Sequence, residues 1–425
     1  MAGSSSYVIL GLADMVFVGQ YGSAALGAVG FGSFISSIFM SFFWGLSIAV
    51  QATVSRLKGA GHHDDLALYL NAAIFLVLVA APVPSLVLFY YTPEIYSLMN
   101  SDPEVLDHGV GYLQWMWLSA TFFGISMAFG GFWNATDRST YFMRVVLFTT
   151  LINVPLNYIF IFGFAIIPSF DVEGAGLGSL IAAGLGSGYN FLLGLKHARE
   201  NGFLNSRPRG TELKVVLNLA IPGGSQHVLD NLALTLMYRV VGMVGTVELA
   251  SYSVLMNLIS FVGLPAWGLG TAGATLIGQA LGANDKEDAT QWAWDVIKVG
   301  CTLMFILGMP FWLVPGLILS AFIHDPETLA MATTPCRILG AMIVITGIGY
   351  MLASMLNGAG DVKRVMYVNL LTQYLVLLPV GYLAGPYFGF GLLGIWCVHQ
   401  FVFRAGQTAI FSVMWTRGRW ARSVF

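Results

Sequence analysis

The stretch Ser4–Phe43 reads SSSYVILGLADMVFVGQYGSAALGAVGFGSFISSIFMSFF and holds one charged side chain, Asp14. The next charge along the chain is Arg56. Everything between is compatible with lipid, and similar runs recur to the end of the sequence. A carboxylate at bilayer depth costs at least ~2.5 kcal/mol on insertion scales, and such residues usually mark an ion or substrate path. The stretch therefore raises two questions together: what crosses a membrane here, and why one acid is kept inside a span.

Composition answers the first. The chain has 425 residues, 57% hydrophobic and 9% charged, against about 25% charged in a soluble domain. So few charges cannot cover a water-facing surface, and most of the surface must meet lipid. The balance of 19 basic and 21 acidic residues, with no basic–aromatic patch, argues against a nucleic-acid partner. Cys301, Cys336 and Cys397 lie far apart in apolar runs, without metal-ligand spacing or a disulfide framework, and read as small packing residues. The opening MAGSSSYVILGLADMV has no basic region and does not read as a cleaved leader.

Twelve apolar runs have roughly the length that crosses a hydrocarbon core: 5–20, 26–51, 67–90, 108–132, 143–164, 174–195, 215–243, 248–272, 292–315, 331–355, 365–385 and 391–415. Strand-like alternation is absent, so the runs predict helices. The connections sort by charge. Arg56 and Lys58, Arg138 and Arg144, Lys196 to Lys214, Lys286, Lys363 and Arg364, and Arg417, Arg419 and Arg422 follow the even-numbered spans. The alternate loops carry acids instead: Glu94, Asp102, Glu104, Asp107, Asp171, Glu173, Glu248, Asp325 and Glu327. The positive-inside rule then puts the even loops and both termini in the cytoplasm. Asn134-Ala-Thr136 fits a glycosylation pattern but falls on the cytoplasmic side, so it is incidental.

The chain also repeats. At an offset of 223 residues Gly19 meets Gly242, Gly22 meets Gly245, Leu26 meets Leu249, Trp44-Gly45-Leu46 meets Trp267-Gly268-Leu269, Gly59-Ala60 meets Gly282-Ala283, and Asp65 meets Asp288. At 224, Asp137 meets Asp361 and Pro155 meets Pro379. Shared greasiness does not produce Trp, Gly and Asp matches at one fixed offset. The predicted architecture is an all-α membrane protein of two six-helix lobes, 1–195 and 215–415, with a cytoplasmic linker 196–214 and tail 416–425. An even number of spans per copy makes the repeat parallel, with a pseudo-twofold axis along the membrane normal and a central cleft. No selectivity-filter-like segment argues for a channel.

Several stretches resemble signature segments of the MATE multidrug exporters, NorM-like branch: LADMVFVGQYGSAALGAV, NVPLNYIFIFG with VEGAGLG, AIPGGSQHVLD, ELASYSVLMNLISFVGLPAWGLGTAGATLIGQALGA, and LNGAGDVKRV with LLPVGYLAG. The resemblance runs from about Leu10 to Arg417 and implies a twelve-helix antiporter that exports lipophilic organic cations in exchange for H⁺ or Na⁺. It implies a bacterial inner-membrane protein, monomeric, with no further cofactor. Two features depart from the family pattern. Family members usually have a longer N-terminus, with a proline some fifteen residues before this acid, whereas thirteen residues precede Asp14 here, so helix one reads as shortened. Thr346 stands where many members carry an acid in helix ten, which removes a two-carboxylate site from the second lobe.

Asp14, mid-span in helix one, is read as a coupling residue; the plainer alternative is a protonated acid bonded to a neighbouring helix. Burial would raise its pKa toward physiological pH, or its carboxylate with amide oxygens would hold Na⁺. Asn153 and Asn157 lie four apart on one face of helix five. The resemblance puts them near the first-lobe cation site, with interhelical bonding as the alternative. Asp230, eight residues after Pro222, stands where the family has Glu or Asp, and His227 lies one turn earlier on the same face. The two either serve coupling and substrate binding or form a static pair. Arg239 and Arg337 read as snorkelling to the headgroups. Arg404 in helix twelve is left open, and His399 and Gln51 read as structural. Some Phe and Met side chains suit a flat lipophilic cation.

The motifs that are missing narrow the function. No G-x-x-x-x-G-K-[ST] occurs, so the chain hydrolyses no ATP; H-E-x-x-H and G-x-S-x-G are absent too. The expectation is a secondary antiporter and not an enzyme. The alternatives are a lipid-linked precursor flippase of the same superfamily, which would line its cleft with Arg or Lys, and a non-transporting sensor or channel.

Overall fold

A computed structural model describes residues 17–99, 103–164, 166–205 and 207–421. Asp14 and nearly all of the first predicted span lie outside the described residues. Among those residues the fold is helical, with one isolated bridge between Phe164 and Ile167. The other eleven predicted runs all coincide with helices. Eight of these are long and apolar enough to cross a membrane by length and composition. The remaining three, Asp171–His197, Gly210–Gly242 and 391–416, are the glycine-rich or polar members. Val83, Leu86, Leu151, Phe261, Phe305 and Leu317 are exposed, a surface suited to lipid rather than water.

The chain divides into two compact units, Met1–Gly224 and Ser225–Phe425. The first holds α1 (Ser23–Ser41), α2 (Trp44–Gly59), α3 (Leu68–Ala80), α4 (Pro82–Tyr90), α5 (Thr92–Met99), α6 (Pro103–Ala135), α7 (Ser139–Phe162), α8 (Asp171–His197) and the start of α9 (Gly210–Gly242). The second holds the rest of α9, α10 (Thr246–Gly282), α11 (Lys286–Leu313), α12 (Pro315–Leu319), α13 (Pro326–Gly358), α14 (Val362–Leu371), α15 (Leu378–Tyr382), α16 (Gly391–Cys397) and α17 (Ala405–Thr416). Three π-helical stretches, Thr372–Leu377, Leu383–Tyr387 and Val398–Arg404, interrupt its last two spans.

The repeat is visible in the helix boundaries. The span Ser23–Gly59 and α10 (Thr246–Gly282) begin and end 223 residues apart, and so do α6 (Pro103–Ala135) and α13 (Pro326–Gly358). In each unit that fourth span is the central element. Helix α6 packs against α1 to α5, α7 and α8; α13 packs against α10, α11, α12, α14, α16 and α17. Around α6 sit the buried rings of Trp117, Phe129, Phe132 and Trp133. Around α13 sit Met351, Leu352, Met355 and Leu356, and Trp396 on α16 donates its indole N–H to the Pro335 carbonyl at 2.8 Å.

The copies differ in detail. The helix break between α1 and α2 falls at Phe42–Phe43, without a proline, whereas the second copy has Pro265 at the position equivalent to Phe42 and runs on unbroken. Ser36, Ser37 and Ser41 donate back to the carbonyls of Ser33, Phe34 and Ile38, which competes with the helical ladder just before that break. Helix α9 is also continuous through Pro222-Gly223-Gly224. Its glycine serves close approach: a Cβ on Gly224 would lie 2.3 Å from the Phe42 carbonyl oxygen.

The segment after α8, read as a linker, is bound to the first unit. Asn71 on α3 donates to the Gly202 carbonyl at 3.0 Å and accepts from the Leu204 N–H at 3.2 Å, while the Asn201 carbonyl accepts from Ala67 N–H at 2.8 Å. Phe203 is fully buried against Phe129 and Phe191. In the first unit Lys58 pairs with Asp137, and in the second Asp361, the repeat counterpart of Asp137, pairs with Arg364 at 3.2 Å.

Close helix crossings fix both units. A Cβ on Gly131 of α6 would sit 2.4 Å from the Ser47 carbonyl oxygen of α2, and one on Gly270 of α10 would sit 2.9 Å from the Ser354 Cβ of α13. Gly131→Val should therefore cost roughly 1–3 kcal/mol through overpacking against backbone that cannot yield. Gly188→Ala, where a Cβ meets nothing within 4 Å, should be neutral. Thermal unfolding of the purified variants in detergent checks the pair; equal melting temperatures would refute the crossing.

Candidate functional site

Each unit holds a polar centre inside apolar helices. In the first, Asn153 and Asn157 face one side of α7, and both side chains are 0% exposed. The Asn157 amide donates to Asn153 Oδ1 at 3.1 Å, and Asn153 Nδ2 donates to Asn157 Oδ1 at 3.3 Å and to Ser179 Oγ on α8 at 3.1 Å. Two amide oxygens and a hydroxyl are the hard donors that suit an alkali or alkaline-earth cation. The pair is seated by Gly178: a Cβ there would lie 2.2 Å from Asn157 Oδ1.

The residues after Asp14 dock beside this pair. Val18 is buried among Val29, Tyr112, Ile161, Val172 and Ala175. The Phe17 ring meets those of Tyr158 and Phe162 edge-on, and the Tyr21 hydroxyl donates to the Ile161 carbonyl at 3.2 Å. Asn153, Asn157 and Ile161 recur every four residues, so this anchor lies one turn along the same helical stripe.

In the second unit Asp230 is half-buried on α9. Gln373 donates to its Oδ1 at 2.8 Å, and Gln226 and the Arg404 guanidinium lie within electrostatic reach of its carboxylate. The neighbouring Tyr374 hydroxyl donates to the Leu229 carbonyl at 2.8 Å. Gln373 and Tyr374 are consecutive, and in a regular helix they would point about 100° apart. They sit in the first π-helical stretch, and both reach α9. Such bulges recur at functional sites. The Asp230 carboxylate is thus held by Gln373, while His227, one turn back, takes a bond from Asn231 on its backbone carbonyl at 3.1 Å.

Arg404 ends the third π-helical stretch. Its guanidinium carbon stands 4.9 Å from the centre of the Tyr350 ring and 4.7 Å from that of Phe403. Its Nη1 donates to Gln407 Oε1 at 3.2 Å, and Gln407 Nε2 donates to Asn369 Oδ1 at 2.6 Å. Several buried atoms of the second unit have no partner: Oε1 of Gln226 and Gln373, both amide atoms of Gln400, Arg404 Nε, His399 Nδ1 and Thr346 Oγ1. His399 is packed, stacked on Trp396 at 5.4 Å, but its Nδ1 is among those atoms. Arg239 and Arg337 are exposed. Among the described residues no three His, Cys, Asp or Glu side chains converge.

Gln226, Asn369, Gln373, Tyr374, Gln400 and Gln407 had not been singled out from the sequence. Their signal was the spacing of Asn369 with Gln373, and of Gln400 with Arg404 and Gln407, which makes polar stripes on two apolar spans.

Two helical units, lipid-suited outside and holding polar groups within their spans, define a multispan membrane transporter rather than an enzyme. The chain belongs to the MatE family: the family model matches residues 1–159 and again 226–383, once in each half. It is similar to the "Probable multidrug resistance protein NorM" of Pasteurella multocida, 26% identical over 88% of this chain and 81% of that protein. It also resembles the "Probable multidrug resistance protein YpnP" of Bacillus subtilis, 23% identical over 99% and 93%. Among solved structures, the Vibrio cholerae MATE transporter VcmN in the bent form superposes with a TM-score of 0.88 at 18% identity, over 98% of this chain and 93% of that one.

Gly178→Ala should break the Asn153–Asn157 pair and lower stability by about 1–3 kcal/mol, the cost of leaving buried amides unmet. The added methyl and the Asn157 amide compete for one space, so Asn157→Ala should make Gly178→Ala nearly harmless. Thermal unfolding of the two single variants and the double variant checks this. Additive losses would show that the residues do not share the space.

Proposed function

We propose that the protein is a secondary active exporter of lipophilic organic cations, driven by inward exchange of H⁺ or Na⁺ through Asp14 and Asp230. The carrying observation is that each unit, otherwise filled with apolar side chains, keeps an oxygen-rich centre within its spans: Asn153, Asn157 and Ser179 in one, Asp230, Gln226 and Gln373 in the other. The names of the NorM and YpnP relatives support multidrug cargo. The docking of Phe17, Val18 and Tyr21 one turn beyond Asn157 supports a shared site for Asp14 with the asparagine pair.

The cycle follows from charge. An organic cation binds from the cytoplasm or inner leaflet while a carboxylate is ionised. From the outside H⁺ or Na⁺ then neutralises that carboxylate and weakens its hold on the cargo. Linkage makes the coupling reciprocal, so cargo loosens the ion by the same free energy, about 1.4 kcal/mol for each tenfold change in affinity. Alternating access, with the site open to one side at a time, turns that exchange into uphill export. His227 contributes to cargo binding beside Asp230. The protein works as a monomer in the bacterial inner membrane, with 1–195 and 215–415 as its lobes, 196–214 joining them, and both termini and the tail 416–425 in the cytoplasm.

Asp14→Asn should abolish efflux of a cationic dye from proteoliposomes under an imposed H⁺ or Na⁺ gradient, while membrane abundance stays normal. Undiminished gradient-driven efflux in that variant would remove Asp14 from the mechanism. A green fluorescent protein fused after Phe425 should fluoresce in intact bacteria, and one inserted between α5 and α6 should not. The reverse pattern would invert the topology.

A further inference from the structure

Among the described residues Arg404 has no ion-pair partner within 4 Å. The three ion pairs among the described residues, Lys58–Asp137, Lys298–Asp295 and Arg364–Asp361, leave it out. Its place is nevertheless fixed without any carboxylate. The guanidinium lies against two aromatic faces, Tyr350 and Phe403, and is tied through Gln407 to Asn369. Cation–π contacts of this kind hold a guanidinium most strongly where water is scarce. Its Nε is buried and meets no acceptor, so the group is not satisfied by what surrounds it.

Asp230 presents the complementary case. It is the carboxylate within the spans of the second unit's centre, and Thr346, 2% exposed, offers a hydroxyl but no second acid. Gln373, which donates to Asp230, and Gln226 beside it leave their own amide oxygens unpartnered. Unmet amide oxygens near a carboxylate are hard donors that suit a small hard cation. Here a fixed positive charge already stands within reach of that carboxylate. The guanidinium repels any second cation that approaches the same carboxylate, and the repulsion is weakly screened where water is scarce.

We propose that Arg404 is the resident counter-cation of Asp230 and the specificity-determining residue that keeps Na⁺ out of the second unit's polar centre. A proton, which neutralises the carboxylate by forming an O–H bond and needs no cage, remains able to act there. The inference deepens the role given to Asp230 in the exporter reading. It concerns ion occupancy rather than transport, so a failed efflux assay would leave it standing.

The test measures thermal unfolding in detergent, with NaCl replacing choline chloride at equal ionic strength. All arms carry Asp14→Asn, so that any sodium signal from the first unit is absent. The parent should be indifferent to the replacement. Arg404→Gln and Arg404→Met, the latter keeping an apolar stem against Tyr350, should each gain a Na⁺-dependent rise of about 3 °C or more. Adding Asp230→Asn should erase that gain, and Arg404→Lys should restore the parent's indifference. A purely structural role for Arg404 would lower melting temperatures without creating a sodium response. The proposal is overturned if the folded Gln and Met variants respond to Na⁺ no more than the parent does. It is equally overturned if the parent is itself stabilised by Na⁺ and loses that response on Asp230→Asn, an outcome readable even if no Arg404 variant folds.

Discussion

A polar group inside a hydrocarbon layer has no water to turn to, so it must find its partner within the protein. That constraint explains why the spans are helices, and it governs the side chains as well. Thr53, Thr149 and Thr150 return their hydroxyls to carbonyls one turn back, and the Trp133 indole finds Asn190. Asn153 and Asn157 satisfy each other and close with Ser179. The second unit behaves differently. Around Asp230 and Arg404, Gln226 and Gln373 leave their amide oxygens without a partner and Gln400 leaves both ends empty. One centre is closed and the other is open, although both are built from the same repeated scaffold.

The scaffold itself is conservative. Helix boundaries recur at a constant spacing, and each unit wraps around its fourth span. What changed between the copies is the chemistry hung on it. The first unit draws its polar centre from α7 and α8, in regular helical register. The second draws its centre from α9 and from spans whose π-helical stretches turn neighbouring residues to one side. A bulge of this kind costs hydrogen-bond quality, and it persists where the altered register places a needed group.

Much of this was legible in the sequence, for physical reasons. Hydropathy over about twenty residues marks what must lie in lipid, and eleven of the twelve runs coincide with helices. The ends ran short in the reading because helices continue past the apolar window: α6 begins at Pro103, not 108, and α10 ends at Gly282, not 272. Asn153 and Asn157 were visible because two amides four apart in oil admit few explanations. The break at Phe42–Phe43 was not visible, since no Pro or Gly announces it. Gln373 and Gln400 were passed over although each lies on a polar stripe, with Asn369 and with Arg404 and Gln407; the π bulges that bring Gln373 and Tyr374 together onto α9 leave no mark in composition. Asp14, which opened the reading, falls outside the described residues.

The crossing of the second and fourth spans carries a consequence for how such a protein can be altered. In the first unit the glycine is Gly131 and faces Ser47; in the second the glycine is Gly270 and faces Ser354. These are equivalent positions with the small residue moved to the opposite helix. A single helix transplanted from one half to the other would set serine against serine and wedge the backbones apart, or glycine against glycine and leave a gap. The halves have ceased to be spare parts for one another, and only whole helix pairs remain exchangeable.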